Sequence, residues 1–366
     1  MSKELIRNFH HSNGEIVFGT DLGRVCLLNA HTGEIIWEKQ LAPLSNTRSP
    51  IIHKDIVYTG GHGGKGFKRS PSFGCSALNK ADGELLWQEE VDGAFWRPTV
   101  EDDVVYTSSS NEHVYAFDAS SGRELWSLDV ENAPNSSTIP FFDNLLFIST
   151  KKRLSLDGPK KKAEILGIDR GTGKVVWSFE NTAFWEYFLP KIFRGNTDFN
   201  YPTVHNGTVF AGSSAAGGEG QLFALNAKDG SLLWTFSAKA TWGLNYQVAE
   251  GDTLYVNAQR DGRLCVLDVN TGTLRKTIKI REAYQVALFD GLLYYGSMCG
   301  HLVVLDPETE LIKWEKNFGE NIFDPPQMTH DTVFLRIENK IYALNKEDGE
   351  LKWLYEHVPL ERSEDE

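Results

Sequence analysis

Short apolar segments separated by polar, turn-forming residues recur along the whole chain. Residues 113–117, with the sequence HVYAF, and residues 103–106, with the sequence DVVY, are typical of them. Runs of this length that are rich in β-branched and aromatic residues predict strands. No segment shows a convincing helical period, so the pattern predicts an all-β protein.

One turn motif occurs eight times between two such strands. It consists of Asn or Asp, two variable residues, Thr, Ser or Asp, and then Gly, with Trp four residues after the Gly. The Asx residues are Asn29, Asn79, Asp118, Asp169, Asn226, Asp268, Asp306 and Asn345. The Gly position holds Gly33, Gly83, Gly122, Gly173, Gly230, Gly272, Glu310 and Gly349. The Trp position holds Trp37, Trp87, Trp126, Trp177, Trp234, Lys276, Trp314 and Trp353.

The motif has the chemistry of a tight turn between strands. An Asx side chain hydrogen-bonds to backbone two residues further on, and Gly adopts a positive φ without steric cost. Glu310 breaks the Gly rule, so we expect that turn to be strained or of another type. The tryptophans are expected to pack between neighbouring units, because an aromatic ring buries a large apolar surface.

The spacing of the motif predicts the architecture. Successive Gly positions lie 38 to 57 residues apart, close to the ~40–50 residues of a propeller blade. Each unit holds four short strands, which we label A to D in chain order, and strand D carries the Trp. Radially repeated four-stranded units leave only short, protected edges. We therefore predict one eight-bladed β-propeller of four-stranded antiparallel blades over residues 1–359, followed by an acidic disordered tail at 360–366.

The motif resembles the PQQ-type propeller repeat that quinoprotein dehydrogenases share with the outer-membrane assembly factor BamB. The resemblance extends from about residue 6 to residue 355 and implies blades locked by docking tryptophans around an axial funnel. In the quinoprotein enzymes it further implies a cofactor clamped between a Trp and a vicinal Cys-Cys disulfide, with calcium held by Glu, Asn and Asp. The four cysteines, Cys26, Cys75, Cys265 and Cys299, are scattered. We therefore expect no cofactor and no metal.

Composition narrows the possible partners. The formal net charge of −13 and the pI near 5.3 predict net repulsion from nucleic acid and from anionic membranes. The chain has neither the apolar segment of a secretory signal near residue 1 nor a run long enough to cross a bilayer. We therefore expect a cytoplasmic protein that neither binds nucleic acid nor inserts into membranes. Cys26 and Cys265 share one repeat position and are expected to be buried.

The lengths of the connections indicate where function lies. In an up-and-down blade the D–A and B–C connections share one face. The segments 55–79, 143–169 and 206–226, which contain B–C connections, and 177–206, a D–A connection, are all longer than their counterparts. Long loops on a rigid scaffold commonly carry binding. This face is therefore the predicted binding surface.

Three groups of residues on this face are candidates for binding. The aromatic-rich D–A connections contain Trp96, Arg97, Phe184, Trp185, Tyr187, Trp242, Asn245 and Tyr246. The residues that enter strand A, at the expected mouth of the channel, include Arg48, Arg97, Tyr201, Asn245, Tyr284 and Asp324. The basic residues of the long loops include Lys65, Lys68, Arg69, Lys151, Lys152 and Arg153. Aromatic anchors and complementary charge favour a protein partner. Each group also has an alternative interpretation. The aromatic residues could pack in the core, the residues at the channel mouth could form a solvated rim, and the lysines could serve only to keep the protein soluble.

These observations favour a non-enzymatic protein-binding scaffold. An immunity protein that neutralises a toxin domain is one role suggested by other stand-alone propellers of this type. The alternatives are a BamB-like envelope assembly scaffold and a propeller enzyme, either a quinoprotein or a carbohydrate-active enzyme. Carboxylates such as Glu186 and Asp324 could serve an enzyme, but nothing in the sequence places two of them at a working distance.

Overall fold

The structure is a computed structural model whose described residues contain only β structure. They are residues 4–41, 46–62, 74–90, 93–130, 134, 138–150, 163–180, 199–214, 219–240, 243–258, 261–281 and 283–358. Eight four-stranded sheets follow one another along the chain, each with its strands paired antiparallel in sequence order. The predicted fold, an eight-bladed β-propeller, is confirmed. Within the described ranges, no helix is long and apolar enough to cross a membrane.

Two compact units divide the chain, and the first comprises residues 1–100, 119–123 and 326–366. Blade 1 consists of β1 (Ile6–Ser12), β2 (Glu15–Thr20), β3 (Arg24–Asn29) and β4 (Ile35–Gln40). Blade 2 consists of β5 (Asn46–His53), β6 (Ile56–His62), β7 (Cys75–Asn79) and β8 (Leu85–Glu89). Blade 8 consists of β29 (Gln327–Met328), β30 (Thr332–Ile337), β31 (Lys340–Asn345) and β32 (Leu351–Glu356).

The second unit, residues 101–118 and 124–325, contains blades 4 to 7 and most of blade 3. Blade 3 consists of β9 (Thr99–Glu101), β10 (Val104–Ser108), β11 (His113–Asp118) and β12 (Glu124–Asp129). Blade 4 consists of β13 (Phe141–Phe142), β14 (Leu145–Ser149), β15 (Glu164–Asp169) and β16 (Val175–Glu180). Blade 5 consists of β17 (Thr203–His205), β18 (Thr208–Ser214), β19 (Glu219–Asn226) and β20 (Leu232–Lys239). Blade 6 consists of β21 (Leu244–Glu250), β22 (Thr253–Ala258), β23 (Arg263–Asp268) and β24 (Leu274–Lys279). Blade 7 consists of β25 (Ala283–Phe289), β26 (Leu292–Ser297), β27 (His301–Leu305) and β28 (Ile312–Asn317).

The core lies between successive blades. In the second unit, Phe210 and Leu222 of blade 5 belong to one buried cluster with Val256 and Cys265 of blade 6. Burial on both faces explains why strands B and C read as continuous apolar runs. Cys265 is 2% exposed and Cys26, at the same repeat position in blade 1, is fully buried, which confirms their prediction as core residues.

The turn motif and its Trp form one contact between neighbouring blades. In six of the motif tryptophans the indole Nε1 donates to the carbonyl of the residue that follows the Asx of the next blade. The donor and acceptor pairs are Trp37 and Lys80, Trp87 and Ala119, Trp126 and Arg170, Trp177 and Ala227, Trp234 and Val269, and Trp353 and Ala30, at 2.7 to 3.1 Å. A Cβ built on Gly272, where φ is +68°, would lie 2.4 Å from Trp234 Cε3. Gly is therefore needed both for the turn and for the packing of the ring.

The two exceptions to the motif meet at a single junction, between blades 6 and 7. Lys276 Nζ replaces the indole and donates to the carbonyl of Pro307 at 2.5 Å, and Pro307 follows Asp306. Glu310, in the Gly position of the same turn, has φ +59°, and its Oε1 lies 3.7 Å from Lys276 Nζ. Of the two expectations for this turn, strain or another turn type, the left-handed φ of Glu310 agrees with the first. Because no indole lies on this turn, there is room for a Cβ at position 310.

The last blade contacts the first within the first unit without exchanging a strand. All four strands of blade 1 come from residues 6–40, and all four of blade 8 from residues 327–356. The Gln327 side chain accepts from His11 N at 2.7 Å and donates to the carbonyl of Phe9 at 2.8 Å. Arg336 donates to the carbonyl of Ile6 at 2.9 Å. Side-chain hydrogen bonds and packing therefore join the two ends of the chain.

Candidate functional site

Strand A of several blades contains one extra residue near its start. The pairing register shifts between Ile6 and Asn8 in blade 1 and between Arg48 and Ile51 in blade 2. It shifts in the same way between Asn245 and Gln247 in blade 6 and between Ala283 and Val286 in blade 7. Such β-bulges re-aim a side chain and commonly occur beside functional sites.

Four aromatic rings form a continuous row in the second unit, each located at the start of a strand A or shortly before it. The ring centroids of Tyr201 and Tyr246 are 6.4 Å apart, and those of Tyr246 and Tyr284 are 5.6 Å apart. Tyr284 and Phe323 follow at 5.4 Å in an edge-to-face arrangement. The three tyrosines are half-buried, whereas Phe323 is 40% exposed. We call these four residues the aromatic row.

Buried amide side chains form hydrogen bonds to the backbone that carries the aromatic row. Asn257 Nδ2 donates to the carbonyls of Ala283 and Tyr284 at 2.9 and 3.2 Å. Gln247 Nε2 donates to the carbonyl of Leu244 at 3.2 Å and so spans the bulge at Tyr246, where φ is +51°. Both amides are almost fully buried. The rings are therefore positioned before any partner arrives.

The phenol of Tyr246 is held in its neutral form. Burial raises its pKa well above the usual value, and the neighbouring phenol of Tyr284 raises it further. A hydrogen bond with the Gln285 side chain acts in the opposite direction but does not reverse the shift. At neutral pH Tyr246 is therefore an uncharged aromatic group whose hydroxyl can donate a hydrogen bond.

The structure brings together part of the predicted site. Tyr201, Tyr246 and Tyr284 lie in one row, and Asp324 is half-buried directly after Phe323. Asn245, expected at the channel mouth, is 6% exposed and accepts a hydrogen bond from the Asn200 side chain. The extra residue in β21 makes Tyr246 the member of the row in place of Asn245.

Sequence reasoning missed Phe323, although the repeat alignment came within one residue of it at Asp324. The sequence did contain a signal for Phe323, because it is an aromatic residue in a D–A connection. In the first unit, Trp96 and Arg97 are half-buried, and Arg48 lies in β5. The predicted residues Phe184, Trp185, Tyr187, Trp242, Lys65, Lys68, Arg69, Lys151, Lys152 and Arg153 lie outside the described residues.

A cavity of about 720 Å³ lies elsewhere in the second unit, between segments of blades 6 and 7. Its lining includes Lys279, Arg281, Tyr295 and the exposed Cys299. Arg281 is paired with Glu315 at 2.9 Å, and Cys299 Sγ lies 3.1 Å from Ser297 Oγ. The cavity thus mixes a thiol, a phenol, the ammonium group of Lys279 and a guanidinium that is paired with a carboxylate.

The first unit contains a buried ionic cluster that also offers metal-ligand atoms. Cys26, Glu38 and His357 each place one such atom within 4.8 Å of the others. Arg24, 3% exposed, is paired with both Glu38 and the buried Glu4. The positive charge that a metal ion would supply at these carboxylates is already provided by the Arg24 guanidinium. The cluster is therefore explained as a structural ion-pair network.

The cysteines do not fit the quinone clamp that the repeat type implies. Cys26, Cys75 and Cys265 are buried in β3, β7 and β23, and all four cysteines are free thiols. Burial raises the pKa of the Cys75 thiol to about 12, so this thiol stays protonated. No two cysteines are adjacent in the sequence, so the vicinal disulfide has no counterpart in this chain.

Comparison with known families agrees with this architecture. The family profile described as "Outer membrane protein assembly factor BamB" matches residues 2–179, 161–276 and 275–363. The chain belongs to this BamB family. The resemblance inferred from the turn motif is thereby confirmed, and the family match covers nearly all of the propeller.

Individual relatives of this BamB-family chain include both scaffolds and enzymes. It is 26% identical over 310 residues to the outer membrane protein assembly factor BamB of Yersinia pestis, covering 79% of this chain and 71% of the relative. It is 25% identical over 332 residues to the quinoprotein alcohol dehydrogenase PedH of Pseudomonas putida, covering 83% of this chain but only 46% of the dehydrogenase. The crystal structure of BamB from Moraxella catarrhalis superposes with a TM-score of 0.67 at 16% identity, covering 92% of this chain and 93% of that one.

Proposed function

We propose that this chain is a non-enzymatic scaffold that binds another protein through the face carrying its D–A and B–C connections. The observation that carries the proposal is the aromatic row, in which four neighbouring rings are preorganised by buried amides. Tyrosines supply large contact areas and lose little conformational entropy on binding, which suits them to anchor an interface. The relatives named as BamB are assembly factors, which supports a scaffold role.

A dehydrogenase role has less support. The chain spans less than half of the matched quinoprotein dehydrogenase, and its free, separated cysteines cannot form the vicinal disulfide of the quinone clamp. The catalytic alternative would need another means of holding a cofactor. The binding role needs only the rings and amides that are already in place.

For the cellular role, we propose a cytoplasmic protein partner, with neutralisation of a toxin domain as the leading case. Envelope assembly is the second candidate, and the family match favours it. Cell fractionation separates the two, because an assembly scaffold must be recovered with the envelope and a cytoplasmic antitoxin must not.

Affinity purification from the native host tests the binding role. We expect the tagged wild-type chain to retain a specific partner that the Tyr284→Ala variant retains at least tenfold less, as for a central interface anchor of about 1–4 kcal/mol. Tyr342→Ala is the matched control, because Tyr342 is a tyrosine in β31 outside the aromatic row. Equal recovery of every protein by wild type and Tyr284→Ala would contradict the proposal.

A further inference from the structure

The aromatic row and the groups that hold it carry no formal charge. Its supports Asn200, Asn245, Gln247, Asn257 and Gln285 are all neutral amides. The chain as a whole has a net charge of −13. The guanidinium of Arg281, three residues before Tyr284, is paired with Glu315 at 2.9 Å. A cationic ligand would therefore meet attraction here, whereas an anionic ligand would lack a counter-ion among these residues.

The rings themselves favour cations. A Lys or Arg side chain over the face of an aromatic ring gains about 0.5–2 kcal/mol, and Arg also stacks on rings through its planar guanidinium. Tyr246 is a neutral phenol at physiological pH, as an ordinary tyrosine is, and burial, which raises its pKa, disfavours the phenolate further, so its ring keeps the electron-rich face of a phenol. One ligand with several cationic side chains can contact several adjacent rings at once.

The spacing of the rings suits an extended peptide. Successive centroids lie 6.4, 5.6 and 5.4 Å apart. Alternate side chains of an extended strand lie about 6.7 Å apart on the same side. The ring planes are inclined by 46°, 42° and 86° to one another, so the rings do not form a flat platform for stacked sugar rings.

We propose that the aromatic row binds an extended segment of the partner that carries Lys or Arg at alternate positions. The cationic side chains pack against the accessible surfaces of successive rings, and the amide hydrogen bonds to the backbone keep the rings in place. This proposal rests on the scaffold role proposed above and specifies the chemistry of the segment that the scaffold recognises.

Fluorescence anisotropy with short synthetic peptides tests the proposal. The probes are labelled peptides of about nine residues, long enough to span the row, that alternate Thr with Lys, Gln or Glu, since Thr favours extended backbone. In about 150 mM NaCl, which screens long-range attraction, we expect the Lys peptide to bind at least tenfold tighter than the Gln peptide, and the Glu peptide not to bind.

Two variants distinguish the row from general charge attraction. Phe323→Ala changes an exposed side chain, and Tyr284→Ala changes a half-buried one, so a folding defect confined to the second still leaves the first as a test. Each is expected to weaken binding of the Lys peptide at least fivefold, and Tyr342→Ala is expected to leave it unchanged. Wild-type affinity in both row variants would overturn the proposal and assign the binding to net charge.

Other outcomes would also contradict the proposal of a cationic segment. Tighter binding of the Glu or Gln peptide would overturn the cationic specificity, and displacement of every peptide by cellohexaose would assign the row to carbohydrate. The failure of the scaffold role is a separate result. A native partner lost on Tyr284→Ala, together with no preference for the Lys peptide, keeps the scaffold and rejects the cationic segment. Binding of the Lys peptide without any native partner rejects the scaffold.

Discussion

At the residue scale, seven blade junctions share one contact, in which a side-chain donor reaches the carbonyl after the next turn's Asx. Seven of the eight Trp positions in the sequence hold Trp. At the eighth, Lys276 makes the same hydrogen bond with its ammonium group. The compensating residue is Glu310, which tolerates a left-handed φ because no ring packs against it. The two departures from the motif, Lys276 and Glu310, therefore compensate for each other across one junction.

The coupling between Lys276 and Glu310 is testable by a double-mutant cycle. Lys276→Trp alone should lower the free energy of unfolding by about 1–3 kcal/mol, because the new ring meets the Cβ at position 310. Glu310→Gly alone should raise it by about 1 kcal/mol through relief of the left-handed strain. In the Gly background, Lys276→Trp should be stabilising. Urea unfolding of the four proteins measures the interaction, and additive effects would contradict it.

At the scale of elements, the bulges in strand A decide which side chain joins the row. A shift of one residue moves every following side chain to the other face of a strand. In β21 the shift buries Asn245 and frees Tyr246 to contact Tyr201 and Tyr284. Such a bulge has no reliable local sequence signal, so an alignment of repeats places these residues only to within one position.

His357, directly after β32, makes the stability of the fold depend on pH. Burial and the neighbouring Arg24 lower the pKa of His357 to about 4, so the folded state favours the neutral ring. The unfolded state binds the proton more readily, since the ordinary pKa of His is about 6.5. The stabilisation is therefore complete above pH 6.5 and is lost as the pH falls through about 4, by about 3 kcal/mol in all.

Unfolding in urea at pH 7 and pH 5 checks the role of His357. His357→Gln should flatten the loss of stability between these two values, because glutamine does not titrate. The matched control is His330→Gln in the same blade, which should keep the wild-type slope because its side chain is 91% exposed and solvated whether or not the chain is folded. An unchanged slope in His357→Gln would refute the assignment.

At the scale of the whole molecule, the two ends of the chain meet through side chains and without a shared sheet. Gln327 alone provides two hydrogen bonds to the backbone of β1, and Trp353 adds the same docking contact that joins other blades. Because no strand is exchanged, the contact between blades 8 and 1 is made of the same kinds of interaction as an internal junction.

Gln327→Ala is expected to destabilise the contact between the first and last blades. It leaves two buried or half-buried backbone groups of β1 without partners, which costs about 1–3 kcal/mol. Hydrogen exchange at β1 should therefore accelerate more than exchange in the strands of blade 5. Gln88→Ala, which removes a half-buried glutamine from β8, serves as control and should leave β1 protected. Equal exchange in both variants would argue against this role.

The sequence by itself determined the strands, the turns, the number of blades and the family. These features follow from local chemistry that repeats: the Asx–Gly turn, the apolar runs of strands B and C, and the Trp four residues later. The tertiary structure alone decided that Lys276 and Glu310 share a junction, that Tyr246 replaces Asn245, and that Phe323 completes the row. Each of these depends on contacts between residues of different blades, and such contacts are fixed by register and packing and not by any local pattern.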